Sequence, residues 1–311
     1  MKNLSSAVIG VGYLGQYHAE KHHNIEGIDL KAVVDADANR AEEIATRLDT
    51  HALSDYQSLL GKVDLVSIAS PTASHYQVAK DFLQAGSHVL VEKPITVTVE
   101  QAQELVDIAK HKNLVLQVGH LERFNPALLG VEKQLLKPMF IESHRLAPFT
   151  PRGADVNVIL DLMIHDIDII LTIVNSEVKE IAASGTSVLS NDTDIANVRL
   201  LFENGCVANV TASRVSLKTE RKMRFFQHDA CISVDFQNKT LNSYKKGDSK
   251  DEAGVPQIIK QETHFENSDA IMAETTAFVD AIRNGSRPIV SGEEGKRALQ
   301  TAIRISELLN P

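Results

Sequence analysis

The chain has 311 residues, enough for two domains of ordinary size. Its 43% hydrophobic and 23% charged content is that of a globular chain, and excludes a disordered, collagenous or small disulfide-built protein. With 32 Lys plus Arg against 41 Asp plus Glu, the formal charge is −9, which argues against a nucleic-acid partner or a membrane-surface binder.

The first 120 residues alternate short apolar runs with helical patterns, the signature of a parallel sheet with crossover helices. Expected strands are Leu4–Gly10, Leu30–Asp35, Asp64–Ala69, His88–Val91 and Leu114–Gly119. They are rich in Val, Ile and Leu with little alternation, as strands covered on both faces should be. Expected helices are Gly15–His23, Ala38–Leu48, Ser74–Ala85 and Val99–His111. The rhythm then changes. A helical stretch at Pro126–Leu136 and a strand at Met139–Ala147 lead to a long apolar segment, Val156–Val174. From Val178 to Phe265 the chain reads as successive strands, with Val198–Glu203 and Cys206–Ala212 joined by an Asn204-Gly205 hairpin turn. Lys245–Gly254 reads as a surface loop, and two helices, Asp269–Arg283 and Gly292–Leu309, close the sequence.

The expected fold class is therefore a Rossmann-type α/β domain with a parallel sheet over residues 1–120, then an α+β domain with a large, mainly antiparallel open sheet over 121–311. The C-terminal helix is free to pack back on the first domain. No apolar run approaches the ~18 residues of a membrane span. The apolar stretch at the N-terminus is short, runs into Gly10 and Gly12 and has no cleavage site, so it reads as a buried strand rather than an export signal. Cys206 and Cys231 are too few for a disulfide framework, and a reducing, cytoplasmic setting is expected.

Gly10-Val11-Gly12-Tyr13-Leu14-Gly15 follows a strand and opens a helix. In that context G-x-G-x-x-G is a dinucleotide fingerprint: Gly10 for the tight turn, Gly12 for close approach of the pyrophosphate, Gly15 for helix–strand packing. Asp35, twenty residues past Gly15, would accept hydrogen bonds from ribose hydroxyls and repel a 2′-phosphate. NAD is therefore expected over NADP. Read alone, Asp35 is also an ordinary strand-end turn residue.

Ser70-Pro71-Thr72 and Val91-Glu92-Lys93-Pro94 end two further strands. With these motifs the sequence resembles the Gfo/Idh/MocA oxidoreductase family over nearly its whole length. The resemblance implies hydride transfer between nicotinamide and a sugar or polyol, with Lys93 as the active-site lysine and Asp161 and His165 as the family's Asp-x-x-x-His pair. It places Tyr13, Leu14, Ser70, Pro71, Thr72, His75 and Glu92 with the cofactor. It also implies a homodimer or homotetramer built through the C-terminal sheet. The stretch Asn157–Asp168, and Ala212-Ser213-Arg214-Val215, resemble the branch acting on nucleotide sugars, so C3 of a UDP-N-acetylhexosamine is the implied site of oxidation. The segment Gly153-Ala154-Asp155-Val156-Asn157 departs from the glycine-rich run of many sugar dehydrogenases, which weakens a free sugar or cyclitol as substrate.

The residues fit that chemistry on their own terms. Asp161, His165 and Asp168 fall on one stripe of an apolar helix, and buried charge without a partner is costly, so the stripe should face a cavity, a ligand or a polar partner. A neutral His165 can take the hydroxyl proton, Asp161 can fix its tautomer, and an ammonium on Lys93 can stabilise a developing alkoxide. The roles of Lys93 and His165 can also be exchanged. Pro94 is a candidate for a cis peptide. Arg123 and Asn125 sit where they could reach cofactor or substrate, or merely start a helix. Arg152 and Arg214 are candidates for a substrate diphosphate. His18, His22 and His23 lack companion ligands at metal spacing, so surface histidines and no metal are expected. The rival readings are a free-sugar or cyclitol dehydrogenase, an NAD-binding regulator without chemistry, and glycosidic hydrolysis by transient redox.

Overall fold

The structure, a computed structural model, describes residues 3–132, 134–135, 137–150, 156–250, 253–266 and 269–309. The chain forms two compact units, one of residues 1–121 and 269–299, the other of residues 122–268 and 300–311.

The first unit holds six parallel strands: β1 (Leu4–Ile9), β2 (Ile28–Val34), β3 (His51–Leu53), β4 (Leu65–Ile68), β5 (His88–Glu92) and β6 (Leu116–Gly119). Their order is β3-β2-β1-β4-β5-β6, so the strand order reverses between β1 and β4, where doubly wound folds open a ligand crevice. Helices α1 (Gly15–Asn24), α2 (Ala38–Arg47), α3 (Thr72–Ala85) and α4 (Val99–His111) connect the strands. Val8, Val33 and Leu30 pack with Ala19, Ile44 and Leu48 on one side of the sheet. Burying a Val, Leu or Ile side chain of this cluster is worth roughly 1.5–3 kcal/mol.

The next helix of this unit comes from far along the chain. In α7 (Ala270–Asn284) Phe278 and Ala281 are buried against Leu65, Leu90 and Val115. Residues 269–299, which the sequence reading groups with the second domain, therefore pack in the first unit, because their apolar face completes the core over β4 and β5.

The second unit contains α5 (Pro126–Glu132), α6 (Ile164–Val174) and eight strands: β7 (Phe140–Leu146), β8 (Val178–Thr186), β9 (Ile195–Phe202), β10 (Val207–Ser213), β11 (Glu220–Gln227), β12 (Ala230–Asp235), β13 (Thr240–Lys250) and β14 (Pro256–His264). Their order is β14-β13-β12-β11-β7-β10-β9-β8, antiparallel throughout except where β7 lies parallel to β10. The Asn204-Gly205 turn joins β9 to β10 as expected, with Gly205 at φ +85°. One expectation fails: Lys245–Lys250 is no loop but the end of β13, paired with β14 across a register shift. Cross-strand hydrogen bonds outweigh the weak strand preference of Lys, Gly, Asp and Ser here. The helix α8 (Gly292–Leu309) has the expected bounds. Among the described residues, no helix is long and apolar enough to cross a membrane.

Candidate active site

The loop between β1 and α1 is shaped by its glycines. Gly10 has φ +82°, and a Cβ there would lie 2.6 Å from the backbone nitrogen of Ser70, at the end of β4. A Cβ on Gly15 would sit 1.8 Å from the carbonyl oxygen of Gly10. Neither position can hold any other residue without moving the backbone. A Cβ on Gly12 would meet only Arg40, with Nη1 at 3.6 Å, so this position leaves open the approach that a pyrophosphate needs.

The helix behind the loop has a bare end. α1 has no side-chain cap and no acid in its first turn. By contrast, α2 is capped by Asp37, and α4 by a Thr98–Gln101 capping box. A helix N-terminus left uncapped next to a glycine loop offers backbone N–H groups and a positive dipole end to an anion. Asp35 at the end of β2 accepts hydrogen bonds from Val11 N at 2.9 Å and Asp37 N at 3.0 Å. The loop backbone thus fixes the carboxylate that would meet a ribose. Tyr13 is 66% exposed and stacks edge-on with Tyr17. Leu14 is half-buried at the N-cap.

Ser70 closes the same edge, with its Oγ 2.6 Å from that of Ser74; Pro71 is exposed and Thr72 half-buried at the start of α3. His75 is buried and lies between two carbonyls, Pro94 O at 2.9 Å from Nδ1 and Ser70 O at 2.8 Å from Nε2. Burial lowers its pKa against the opposing pull of those carbonyls and Glu92. A neutral imidazole donates to only one of them at a time. His75 therefore ties the end of β4 to the turn after Lys93, a structural use beside the expected cofactor contact. Lys93 is half-buried directly after β5, and its bond to Pro94 is cis, as the sequence reading suggests. Glu92, expected at the cofactor, accepts from His18 Nε2 at 2.9 Å and from Lys93 N at 3.3 Å.

In the second unit Asp161 and His165 are both half-buried. The segment Ile159–Met163 is a π-helical turn that passes into α6, so the expected single helix has a wider turn at Asp161. Such turns are rare and recur at functional sites. The expected stripe meets a polar partner at its third residue. Asp168 is buried, with Oδ2 3.6 Å from Arg123 Nη1.

The arginine candidates are engaged inside the unit. Arg214 is buried and donates from Nε to Asp194 Oδ1 at 2.8 Å, from Nη2 to Ser190 Oγ at 2.9 Å and from Nη1 to the Val156 carbonyl at 2.5 Å. Arg123 donates to Thr172 Oγ1 at 2.6 Å. Asn125 donates to the Phe236 carbonyl at 3.0 Å and accepts from Ala127 N. We read these three as residues that hold the fold around α6 rather than as ligands for substrate. Arg152 lies outside the described residues.

Two expectations about histidines are corrected. His18 and His22 are not surface residues but almost fully buried; only His23 is exposed. His22 Nε2 is 2.8 Å from Ser67 Oγ, and its pKa is pulled down to about 3, first by burial and then by His18. One ring nitrogen of His18, an oxygen of Glu92 and one of Glu274 all lie within 4.8 Å of one another. Sequence spacing missed this group because its members stand on α1, β5 and α7. Arg40 beside Gly12 was also passed over, although it stands three residues after the Asp37 cap.

A doubly wound sheet with this loop, acid and helix end defines a dinucleotide-binding oxidoreductase. Comparison with known proteins agrees. The family described as "Oxidoreductase family, NAD-binding Rossmann fold" matches residues 4–120, and the GFO/IDH/MocA C-terminal domain matches residues 141–233. The chain is 38% identical over 306 residues to a UDP-N-acetylglucosamine 3-dehydrogenase of Acidithiobacillus ferrooxidans, covering 98% of this chain and 97% of that one. A solved structure of the Acidithiobacillus enzyme aligns with a TM-score of 0.92 at 37% identity, over 99% of this chain and 98% of that one. A scyllo-inositol 2-dehydrogenase (NAD(+)) of Bacillus subtilis is 27% identical, covering 96% of this chain and 91% of its own. The chain belongs to the Gfo/Idh/MocA family of NAD-binding oxidoreductases, and NAD is its cofactor.

Proposed function

We propose that this protein oxidises C3 of a UDP-linked N-acetylhexosamine, with NAD as hydride acceptor. The observation that carries the reading is the 38% identity, over 98% of the chain, to a UDP-N-acetylglucosamine 3-dehydrogenase. Gly10, Gly12, Gly15 and the open end of α1 would hold the pyrophosphate, and Asp35 the adenosine ribose. The bound nicotinamide supplies the hydride-accepting carbon. In this reading, Lys93 hydrogen-bonds the reacting hydroxyl oxygen and stabilises negative charge on it. His165 takes the hydroxyl proton, and Asp161 holds the imidazole in the tautomer that can accept it. The exchanged assignment, with Lys93 as base, keeps the same three residues. Arg152 remains the candidate for the diphosphate. We place the protein in the cytoplasm as a homodimer or homotetramer. Exposed apolar side chains at Tyr244, Ile258 and Ile259, on the outer hairpin of the eight-stranded sheet, support a contact between copies there.

The test is incubation with NAD and UDP-N-acetylglucosamine, N-acetylglucosamine or myo-inositol, followed at the nicotinamide absorbance band with product analysis. Oxidation of the UDP-sugar alone is expected. Preference for inositol would move the protein to the cyclitol branch, which the 27% identical Bacillus relative keeps as a second reading. In the active enzyme, His165→Asn should cost ~10²-fold or more in turnover with NAD affinity unchanged. Turnover close to the parent's would remove His165 from the mechanism.

A further inference from the structure

Glu274 stands on α7 with no part of its surface exposed, and neither carboxylate oxygen has a hydrogen-bond partner. Its backbone carbonyl accepts from Gln117 Nε2 at 3.1 Å, so the position of the residue is well held while its acid group is left without a donor. Within 4.8 Å lie a ring nitrogen of His18 and an oxygen of Glu92. The Glu92 carboxylate in turn touches the Lys93 backbone N–H, and a Cβ on Gly119 would come 2.8 Å from its Cδ. The group is tightly enclosed and contains two acids against one imidazole.

Two ionised carboxylates this close, one with no donor, are not stable in a dry interior. One proton added to Glu274 lowers the negative charge by one and creates an O–H donor within 4.8 Å of a Glu92 oxygen. A bound cation would satisfy the same charge. However, His18 Nε2 is the nitrogen that reaches Glu92, and Nδ1 has no partner, whereas a histidine that binds a metal through Nε2 ordinarily has its second nitrogen held. Burial, and then the charge of Glu92, drive the Glu274 carboxyl well above the ordinary carboxylate range.

We propose that Glu274 is carried as a neutral carboxylic acid at neutral pH, and that with His18 it fixes the Glu92 carboxylate as a positioning unit for Lys93. His18 on α1, Glu274 on α7 and the neighbouring Lys93 amide then give Glu92 three donors. The unit also links α1, whose N-terminal end faces the dinucleotide loop, to the backbone of the active-site lysine. Glu274 acts through Glu92 and touches no reacting atom. Its effect on turnover rests on the role proposed for Lys93; its protonation does not.

The first test is infrared difference spectroscopy of the full chain against Glu274→Gln near pH 7. The parent should show the carbonyl stretch of a protonated acid that the glutamine variant lacks. A carboxylate band in its place, or one equivalent of metal by elemental analysis of the purified protein, overturns the proposal. The second test compares turnover. Glu274→Gln keeps a donor and should stay within about twofold of the parent, whereas Glu274→Met removes it. The methionine variant should lose on the order of tenfold or more in kcat, with KM for NAD and the unfolding temperature little changed. An unaltered kcat in the methionine variant overturns the positioning role. Should that variant not fold, the glutamine variant decides: a kcat loss beyond tenfold in a folded Glu274→Gln protein overturns it too. Because the infrared result needs no turnover, its failure leaves the dehydrogenase reading intact. Absence of turnover in the parent sinks that reading and leaves the protonation result intact.

Discussion

Each unit buries a cluster of charged groups, and the two are solved differently. In the second unit Arg145 is 3% exposed; its Nε and Nη2 both meet Asp166 at 2.9 Å, and Nη1 meets Glu122 at 3.0 Å. Burial works against the guanidinium charge, but the two acids outweigh it and its pKa is raised. Every charge there has a fork or an oxygen to meet. In the first unit Glu274 has nothing comparable, because the nearest groups are another acid and a histidine that Glu92 already occupies. In the second unit both acids meet a donor, and Glu122 has a second cation in Arg221, with Nη1 at 3.6 Å, so the cluster can stay ionised when buried. An acid left without a donor, as Glu274 is, favours taking up a proton. The two clusters should therefore fail in opposite ways.

The largest difference should come from Arg145→Ala, which strands Asp166 in the core. Its expected cost is about 3–5 kcal/mol, read as a drop in the urea midpoint. A cost below about 1 kcal/mol would mean that the second cluster is no better paired than the first. Next comes Gly119→Ala, whose Cβ would press on the Glu92 carboxyl. Overpacking of this kind costs about 1–3 kcal/mol, and the change should also lower kcat more than it raises KM for NAD. An alanine tolerated in both respects would show that Glu92 can shift freely. The gentlest test uses pH. His22 is buried beside the acid-rich cluster and depressed to about 3. The unfolded chain takes up a proton near pH 6.5, the folded chain only near 3, so this contribution is complete above 6.5 and is lost as pH falls toward 3. His22→Asn should flatten the stability curve over that window. An unchanged slope would show that the pocket accepts charge more readily than its burial implies.

The same contrast marks what a linear sequence displays. The parallel strands were legible because strands covered on both faces are long runs of Val, Ile and Leu. The exception, β3, has only three residues and was missed. The glycine loop was legible because steric contacts at Gly10 and Gly15 admit no other residue type. Lys245–Lys250 misled because its side chains favour loops, while its strand character comes from pairing with β14. The buried histidines were invisible for a related reason. The partners of His18 and His22 stand 45 to 74 positions away and on other elements, so helix spacing alone suggested the surface. Arg214 and Arg123 carried the right charge for a substrate phosphate, yet spacing could not show that Asp194, Ser190 and Thr172 had already engaged them. Nor does a four-residue interval between Asp161 and His165 reveal the π-helical turn that carries Asp161.

The place of α7 has a consequence for how the protein is made. Synthesis proceeds from the N-terminus, yet Phe278 and Glu274, which complete the core and the buried acid cluster of the first unit, emerge only after the entire eight-stranded sheet has been translated. On the ribosome the nascent dinucleotide sheet therefore waits, with Leu65 and Leu90 uncovered, until α7 arrives to seal it.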